Sequence, residues 1–323
     1  MTDTTSSLFS VPVETLATVW GTLLDWFASH GRELPWRRTR DPYKIMVSEI
    51  MLQQTQVDRV MPKYQAFLEL FPSLAALAGA PTADVIRAWT GLGYNRRAVN
   101  MQRAARAVVD THNGQFPRDL VELLKLPGIG PYTAGAIACF AFEQDVAFMD
   151  TNIRRVVQRL FAGPEESAPA GEARLLAIAR QAVPPGQGWA WNQAIMELGA
   201  LICTAAAPAC WRCPVQVHCR AYAARRSADE QLFSGAGAMA PTRLRRVAER
   251  RETAYAGSNR FYRGRAIEAL RQLGPGEALP LPTLGHQIKG GFTDNDMPWL
   301  RALVDGLARD GLLALEDDQA RLP

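Results

Sequence analysis

Four of the chain's five cysteines fall between residues 203 and 219, spaced as Cys203-x6-Cys210-x2-Cys213-x5-Cys219. Four thiolates this close in sequence surround one inorganic centre, a single zinc ion or an iron–sulfur cluster. Zinc ribbons usually pair two C-x2-C knuckles across a longer spacer, which is absent here. The unequal spacing suits a cubane wrapped by one loop, within which Trp211 and Arg212 face either a phosphate backbone or the cluster itself. The fifth cysteine, Cys139, lies apart. A secreted disulfide scaffold would spread its cysteines through a small chain. This chain has 323 residues, enough for two or three small domains around a buried core. Met1 to Ser10 is polar, with no apolar signal core, and no apolar run reaches membrane-spanning length. The expectation is a soluble, cytoplasmic protein that is not secreted.

The loop must be carried on helices, because apolar residues recur at helical spacing almost throughout. The pattern predicts helices over Val13–Ser29, Tyr43–Leu52, Arg59–Phe71, Ala83–Trp89, Arg96–Thr111, Leu120–Leu126, Thr133–Phe142, Ile153–Phe161, Gly171–Val183 and Trp191–Cys203. Short turns rich in Pro and Gly separate them, and no β run stands out before residue 220. After Cys219 the composition shifts. Residues 221–260 are rich in Arg, Ala, Gly and Ser and read as a basic linker. From Phe261 the pattern tightens into helices over Arg263–Leu273, Pro282–Lys289 and Asp296–Gly311, with a hairpin over Leu312–Leu322. That order suggests a small winged-helix-like module. The net charge of +4 permits a nucleic-acid partner, and arginines crowd Arg32–Arg40 and Arg220–Arg251.

Three motifs carry chemistry. Leu126-Pro127-Gly128-Ile129-Gly130-Pro131-Tyr132-Thr133 lies between two helical patterns. Gly128 and Gly130 let the backbone turn sharply, and the turn opens into a helix N-terminus whose free amides can hold a DNA phosphate. A tight turn between packed helices has the same look; an acidic residue downstream makes the DNA-binding reading stronger. That residue is Asp150, in Phe148-Met149-Asp150-Thr151-Asn152-Ile153-Arg154-Arg155. Local sequence alone would make Asp150 an N-cap; the surrounding motifs reverse that preference. The third motif is Ser48-Glu49-Ile50-Met51-Leu52-Gln53-Gln54-Thr55-Gln56. Glu49 sits among apolar residues, where a raised pKa suits a proton donor, although a lone Glu there is more often structural. Gln54 and Thr55 offer uncharged groups to unpaired bases.

Together these blocks resemble the helix-hairpin-helix DNA glycosylase superfamily, which also contains endonuclease III, and specifically MutY-type adenine DNA glycosylases. Leu34–Arg37, Trp89–Tyr94 and Met196–Gly199 complete the match, in the family's order over roughly residues 15 to 220. The resemblance implies an all-α, two-lobed fold with a 4Fe-4S cluster. The cluster lobe is expected over 1–29 and 142–220, and a six-helix barrel over 30–141. The linker at 221–260 and the module at 261–323 follow. It implies removal of adenine mispaired with 8-oxoguanine or guanine in double-stranded DNA, after the nucleotide is flipped out of the duplex.

The implied roles fall on single residues. Glu49 matches the acid that protonates adenine N7, and Asp150 the carboxylate that stabilises positive charge on the sugar; this division of labour parallels glycosidases. Tyr132 and Asn152 match positions that arrange carboxylate, sugar and water. Arg32, Trp36, Leu52 and Glu197 match the adenine pocket, although Trp36 and Leu52 are equally ordinary core residues. Gln54 and Tyr94 match residues that fill the gap left by flipping; core packing is the alternative for Tyr94. Cys203, Cys210, Cys213 and Cys219 match the cluster ligands. Bifunctional relatives carry a Schiff-base lysine where this chain has Tyr132, so a monofunctional enzyme using water is implied.

The match fails at the C-terminus. The family commonly adds a domain resembling Nudix hydrolases that helps read 8-oxoguanine, and residues 261–323 are too few and too helical for it. Two other readings stand beside adenine excision: a thymine or uracil mismatch glycosylase of the same fold, and a non-catalytic iron–sulfur DNA-binding protein. The paired carboxylates argue against the latter. A monomer is expected, because no self-association patch stands out.

Overall fold

The computed structural model describes residues 11–165, 169–233 and 255–323. Fifteen α-helices, five short 3-10 or π turns and three short strands are described. The helices expected from apolar spacing are present, their ends displaced by a few residues. Chain contacts divide the molecule into two units, residues 1–42 with 131–248 and residues 43–130 with 249–323.

The first unit is built on α1 (Val13–His30), α8 (Pro131–Phe142), α9 (Thr151–Val157), α10 (Glu172–Ala182), α11 (Gly188–Leu201) and α12 (Arg220–Phe233). α11 packs against α1, α8 and α9. Helix α8 was expected in the barrel but belongs to this unit. The cause lies in its sequence: Thr133 to Phe140 are all buried. Phe140 and Tyr132 pack edge-on against Phe148, and Asn192 on α11 donates to the Cys139 sulfur. The start of the expected basic linker is also different. Residues 220–233 form α12, which begins beside the cysteine loop with Ala221 buried. The middle of that expected linker lies outside the described residues.

The second unit holds α2 (Pro42–Leu52), α3 (Val57–Leu70), α4 (Leu74–Gly79), α5 (Thr82–Ala88), α6 (Arg96–His112) and α7 (Leu120–Lys125). It also holds the C-terminal segment: α13 (Asn259–Arg271), α14 (Leu281–Ile288), α15 (Met297–Arg309) and strands β1 (Leu279–Pro280), β2 (Ala314–Glu316) and β3 (Gln319–Arg321). The strands form an antiparallel sheet in the order β1-β3-β2. Asp317 and Asp318, both at positive φ, make the two-residue hairpin turn that strand twist favours.

This segment shares one core with α5 and α6. Ile86 on α5 and Val99 on α6 are buried together with Ile267, Leu270, Leu281, Leu300 and Leu303. Polar contacts pin the same seam. Arg271 donates to the Ile86 carbonyl at 3.1 Å and to Asn95 Oδ1 at 2.9 Å. The Ala83 amide donates to the carbonyl of Pro323. Among the described residues no helix is long and apolar enough to cross a membrane.

Candidate functional site

Asp150 is the N-cap of α9: its Oδ1 accepts from the Ile153 amide at 2.7 Å. Its Oδ2 accepts from Asn152 Nδ2 at 2.9 Å. The cap and the functional assignment are therefore compatible, because capping leaves acceptor capacity on both oxygens. Asn152 is fixed in turn by Arg155, whose guanidinium donates to Asn152 Oδ1 at 2.8 Å, the Gly199 carbonyl at 2.7 Å and the Cys203 carbonyl at 2.7 Å. A Cβ at Gly199 would lie 2.8 Å from Asn152 Cβ, so only glycine lets α11 come this close to the start of α9. Tyr132, half-buried, packs its ring on Phe148, two residues before Asp150.

The same helix reaches the cysteine loop. Past Val157 it widens into a π turn over Gln158–Ala162, a distortion common at functional positions. Arg159 from this turn donates to the carbonyls of Thr204 and Ala205 and approaches the Cys203 sulfur at 3.7 Å. Cys203, Cys210, Cys213 and Cys219 line one pocket walled by Ile202, Pro208, Ala221 and Tyr222. Among the described residues no group of three or more His, Cys, Asp or Glu gathers as ligands of a single metal ion.

Burial pushes the Cys213 thiol up to about 12; the Val215 amide opposes the rise and the other three cysteines add to it. Cys219 is likewise raised by burial, against amide hydrogen bonds from Tyr222 and Ala221. Thiols in such surroundings deprotonate when a metal's charge is supplied, and amides donating to sulfur are the usual company of iron–sulfur ligands. Four thiols lining one pocket are a donor set that fits a thiolate-bound metal centre. Trp211, 82% exposed, does not cover the pocket.

Glu197, 1% exposed, is a buried carboxylate of this unit. Its Oε1 accepts from the Arg32 amide at 2.9 Å and Arg32 Nε at 2.8 Å, and its Oε2 from Arg32 Nη2 at 2.9 Å and Arg37 Nη2 at 2.8 Å. Burial alone would raise its pKa; the hydrogen bonds from Arg32 and Arg37 outweigh that and hold it down at about 2. Four donors occupy the four acceptor positions of a carboxylate, so Glu197 anchors the Arg32–Arg37 loop. Arg37, which also donates to Gln193 at 2.8 Å, was given no role from sequence. Its signal was present in the Leu-Pro-Trp-Arg block. Trp36 is buried.

In the second unit, Glu49 is 3% exposed on α2, among Tyr43 to Met51, nearly all of them buried. Leu52 ends this helix half-buried, and Gln54 and Thr55 follow it. Gln54 and Tyr94 both adopt left-handed backbone, at φ 53° and 47°, which costs a non-glycine residue on the order of 1 kcal/mol or more. One side chain holds both loops. Arg97 on α6 donates to the carbonyls of Ile50 (2.7 Å), Gln53 (2.5 Å) and Leu92 (3.0 Å), and to Thr55 Oγ1 (3.3 Å). Its guanidinium also lies 5.4 Å from the Trp89 ring and 5.7 Å from the Tyr94 ring. Burial lowers its pKa to about 10, against the opposing influence of Tyr94. Sequence reasoning missed Arg97, because an arginine opening a helix looks like solvated surface.

The turn after α7 separates the two glycines predicted together. Gly128 has φ +76°, and a Cβ there would meet Asn100 Cβ at 2.7 Å. Gly130 has ordinary φ and nothing within 4 Å of its would-be Cβ, so it leaves open space before the first turn of α8. Glu49, Leu52, Gln54, Thr55, Tyr94, Gly128 and Gly130 thus fall in one unit; Asp150, Asn152, Tyr132, Arg32, Trp36, Glu197 and the four cysteines fall in the other.

Residues 47–181 match the family model described as HhH-GPD superfamily base excision DNA repair protein. The chain is 42% identical over 250 residues to the adenine DNA glycosylase of Mycolicibacterium smegmatis, covering 77% of this chain and 79% of that one. It is 42% identical over 224 residues to the adenine DNA glycosylase of Homo sapiens, covering 66% of this chain and 41% of that one. Among solved structures, a thermostable thymine-DNA glycosylase is similar at TM-score 0.61 and 31% identity, covering 65% of this chain and 98% of that one. A trapped endonuclease III–DNA covalent intermediate is similar in fold at TM-score 0.56 and 23% identity, covering 67% and 100%.

Proposed function

The chain belongs to the adenine DNA glycosylase family, within the HhH-GPD superfamily of base excision repair proteins, and on that premise we propose that it excises adenine paired with 8-oxoguanine or guanine in double-stranded DNA. Glu49 protonates N7 of the flipped adenine. Asp150 stabilises the cationic sugar as the N-glycosidic bond lengthens, and water, arranged with the help of Tyr132 and Asn152, completes hydrolysis. The observation that carries this reading is the Asp150 carboxylate, oriented on both oxygens by Asn152 and the Ile153 amide. Its surroundings also support hydrolysis by water. Residues 1–42 and 131–248 contain no lysine, so no lysine of this unit offers a Schiff-base nucleophile. The product is an abasic site on an intact strand.

Arg32, Trp36, Leu52 and Glu197 form the adenine pocket in this reading, with Glu197 acting by positioning Arg32 and Arg37. Gln54, Thr55 and Tyr94 fill the gap in the duplex, and the turn at Gly128 and Gly130 receives a phosphate. Cys203, Cys210, Cys213 and Cys219 would hold a 4Fe-4S cluster, which takes no part in bond cleavage. The C-terminal segment is winged-helix-like, supported by its order of helix, strand, two helices and hairpin. The protein acts as a cytoplasmic monomer. Thymine excision is the second reading, favoured by the likeness to the thymine-DNA glycosylase structure; the higher identity to adenine glycosylases outweighs it.

One preparation tests the whole reading. Purified protein, assayed for iron and sulfide, is incubated with duplexes bearing 8-oxoguanine:A, G:A, G:T and G:U and then treated with alkali. Alkali-dependent cleavage at adenine is expected, with iron at the cluster ratio. Asp150→Asn loses roughly 10²–10³ or more in excision rate while binding DNA within a few fold of wild type. Cleavage at thymine or uracil only, or none, sinks the adenine assignment, and stoichiometric zinc sinks the cluster.

A further inference from the structure

We propose that the C-terminal segment completes a second DNA-contact site, a basic and aromatic cleft that takes a phosphate-bearing stretch of the duplex beside the Gln54 and Tyr94 loops. The inference rests on the reading that this protein acts on DNA. The cleft is a cavity of ≈ 810 Å³ lined on one side by Gln54, Thr55 and Tyr94 and on the other by Tyr255 and the first turns of α13. Small-molecule pockets are mostly apolar with a few polar groups. Arginines dominate here: Arg59, Arg96, Arg260, Arg263 and Arg265 line the cavity against one carboxylate, Glu268.

Some of that charge is already paired. Arg263 and Arg96 share Asp310, at 2.5 and 3.4 Å, and Arg271 takes Glu268 at 3.0 Å. Arg59, Arg260 and Arg265 are exposed and have no ion pair among the described residues. Unpaired cations facing one cavity are the electrostatic footprint of a polyanion. Arg260 joins the two walls, lying 4.7 Å from the Tyr94 ring and 5.1 Å from the Tyr255 ring. Tyr94 and Tyr255 are 44% and 56% exposed, and bases or deoxyriboses would cover their rings. The cleft is continuous with the loops that fill the gap in a duplex, so a strand held by those loops runs on into it. Residues 255–323 lie outside the matched family segment, 47–181, so one wall of the cleft comes from that segment and the other from outside it.

Equilibrium binding of the full-length protein to an undamaged duplex, measured over a salt series, tests the cleft. Each phosphate contact contributes about 0.9 to the slope of log affinity against log salt. The double variant Arg59→Glu/Arg260→Glu is expected to bind roughly tenfold or more weakly, with the slope flatter by about 2. The milder Arg260→Gln flattens it by about 1 and guards against a folding defect in the double variant. Arg309→Glu, exposed on α15 outside the cleft lining, is the control of equal charge change. Unchanged affinity and slope in the first two variants, or an equal loss in the control, overturns the proposal. So does a loss confined to binding of polyglutamate, which would assign the cleft to an acidic protein. Wild-type excision, run alongside, separates the two readings. Weakened variants with no wild-type excision leave the cleft standing and remove the glycosylase reading. Wild-type excision with unweakened variants does the reverse.

Discussion

Glu197 shows how much a single carboxylate can organise once it is buried and fully bonded. Its neighbours Arg32 and Arg37 bring its pKa from 4.5 to about 2, which corresponds to about 3 kcal/mol of native-state stabilisation. The folded pKa is depressed, so the contribution is fully present above about 4.5 and is lost as pH falls towards 2. Glu197→Gln is accordingly expected to lower unfolding free energy by a few kcal/mol at pH 7. The difference from wild type should shrink as denaturant titrations move from pH 5 to pH 2.5. A difference that stays constant across that window would mean the ion pairs add nothing. The family resemblance implied the adenine pocket for this carboxylate without showing its donors; folding brings Arg32 to it across 165 positions.

At the level of elements, α9 and α6 each serve two ends. Helix α9 carries Asp150 at its start and hands Arg155 and Arg159 to the cysteine loop, so the loop and the carboxylate are rigidly coupled. Helix α6 carries Arg97, which binds the C-terminal end of α2 and the Gly91–Gly93 turn at once. The strain at Gln54 and Tyr94 persists because this fork over-determines it. Lysine keeps a charge but cannot span these acceptors. Arg97→Lys should therefore cost roughly 2–4 kcal/mol in stability and at least tenfold in single-turnover excision rate. Retention of the wild-type excision rate would show that the loops hold themselves. Hydrophobic periodicity located both helices, since each buries a stripe of apolar side chains. The partners of Arg155 and Arg97 are backbone carbonyls on other elements, which leave no trace in residue type.

At the scale of the whole molecule, the C-terminal segment is part of the core of the second unit. Leu270, fully buried, shares one apolar cluster with Ile86 and Val99. Leu270→Ala is expected to cost about 2–5 kcal/mol and to reduce hydrogen-exchange protection in α5 and α6 as well as in residues 255–323. Protection lost only in residues 255–323 would mark an independently folding module. The sequence by itself determined the helical class, the turn at Gly128 and the clustering of four cysteines in one loop. Each of these rests on local physics: helical periodicity, a backbone that needs positive φ, or ligand spacing. Tertiary structure alone decided that α8 sides with α11, that residues 220–233 are helix beside the cysteines, and that Arg97 clamps two loops. It also placed the arginines of α13 opposite Tyr94. Those outcomes depend on which distant surfaces exclude water together and which carbonyls are left needing a donor, and neither is written in any short stretch of residues.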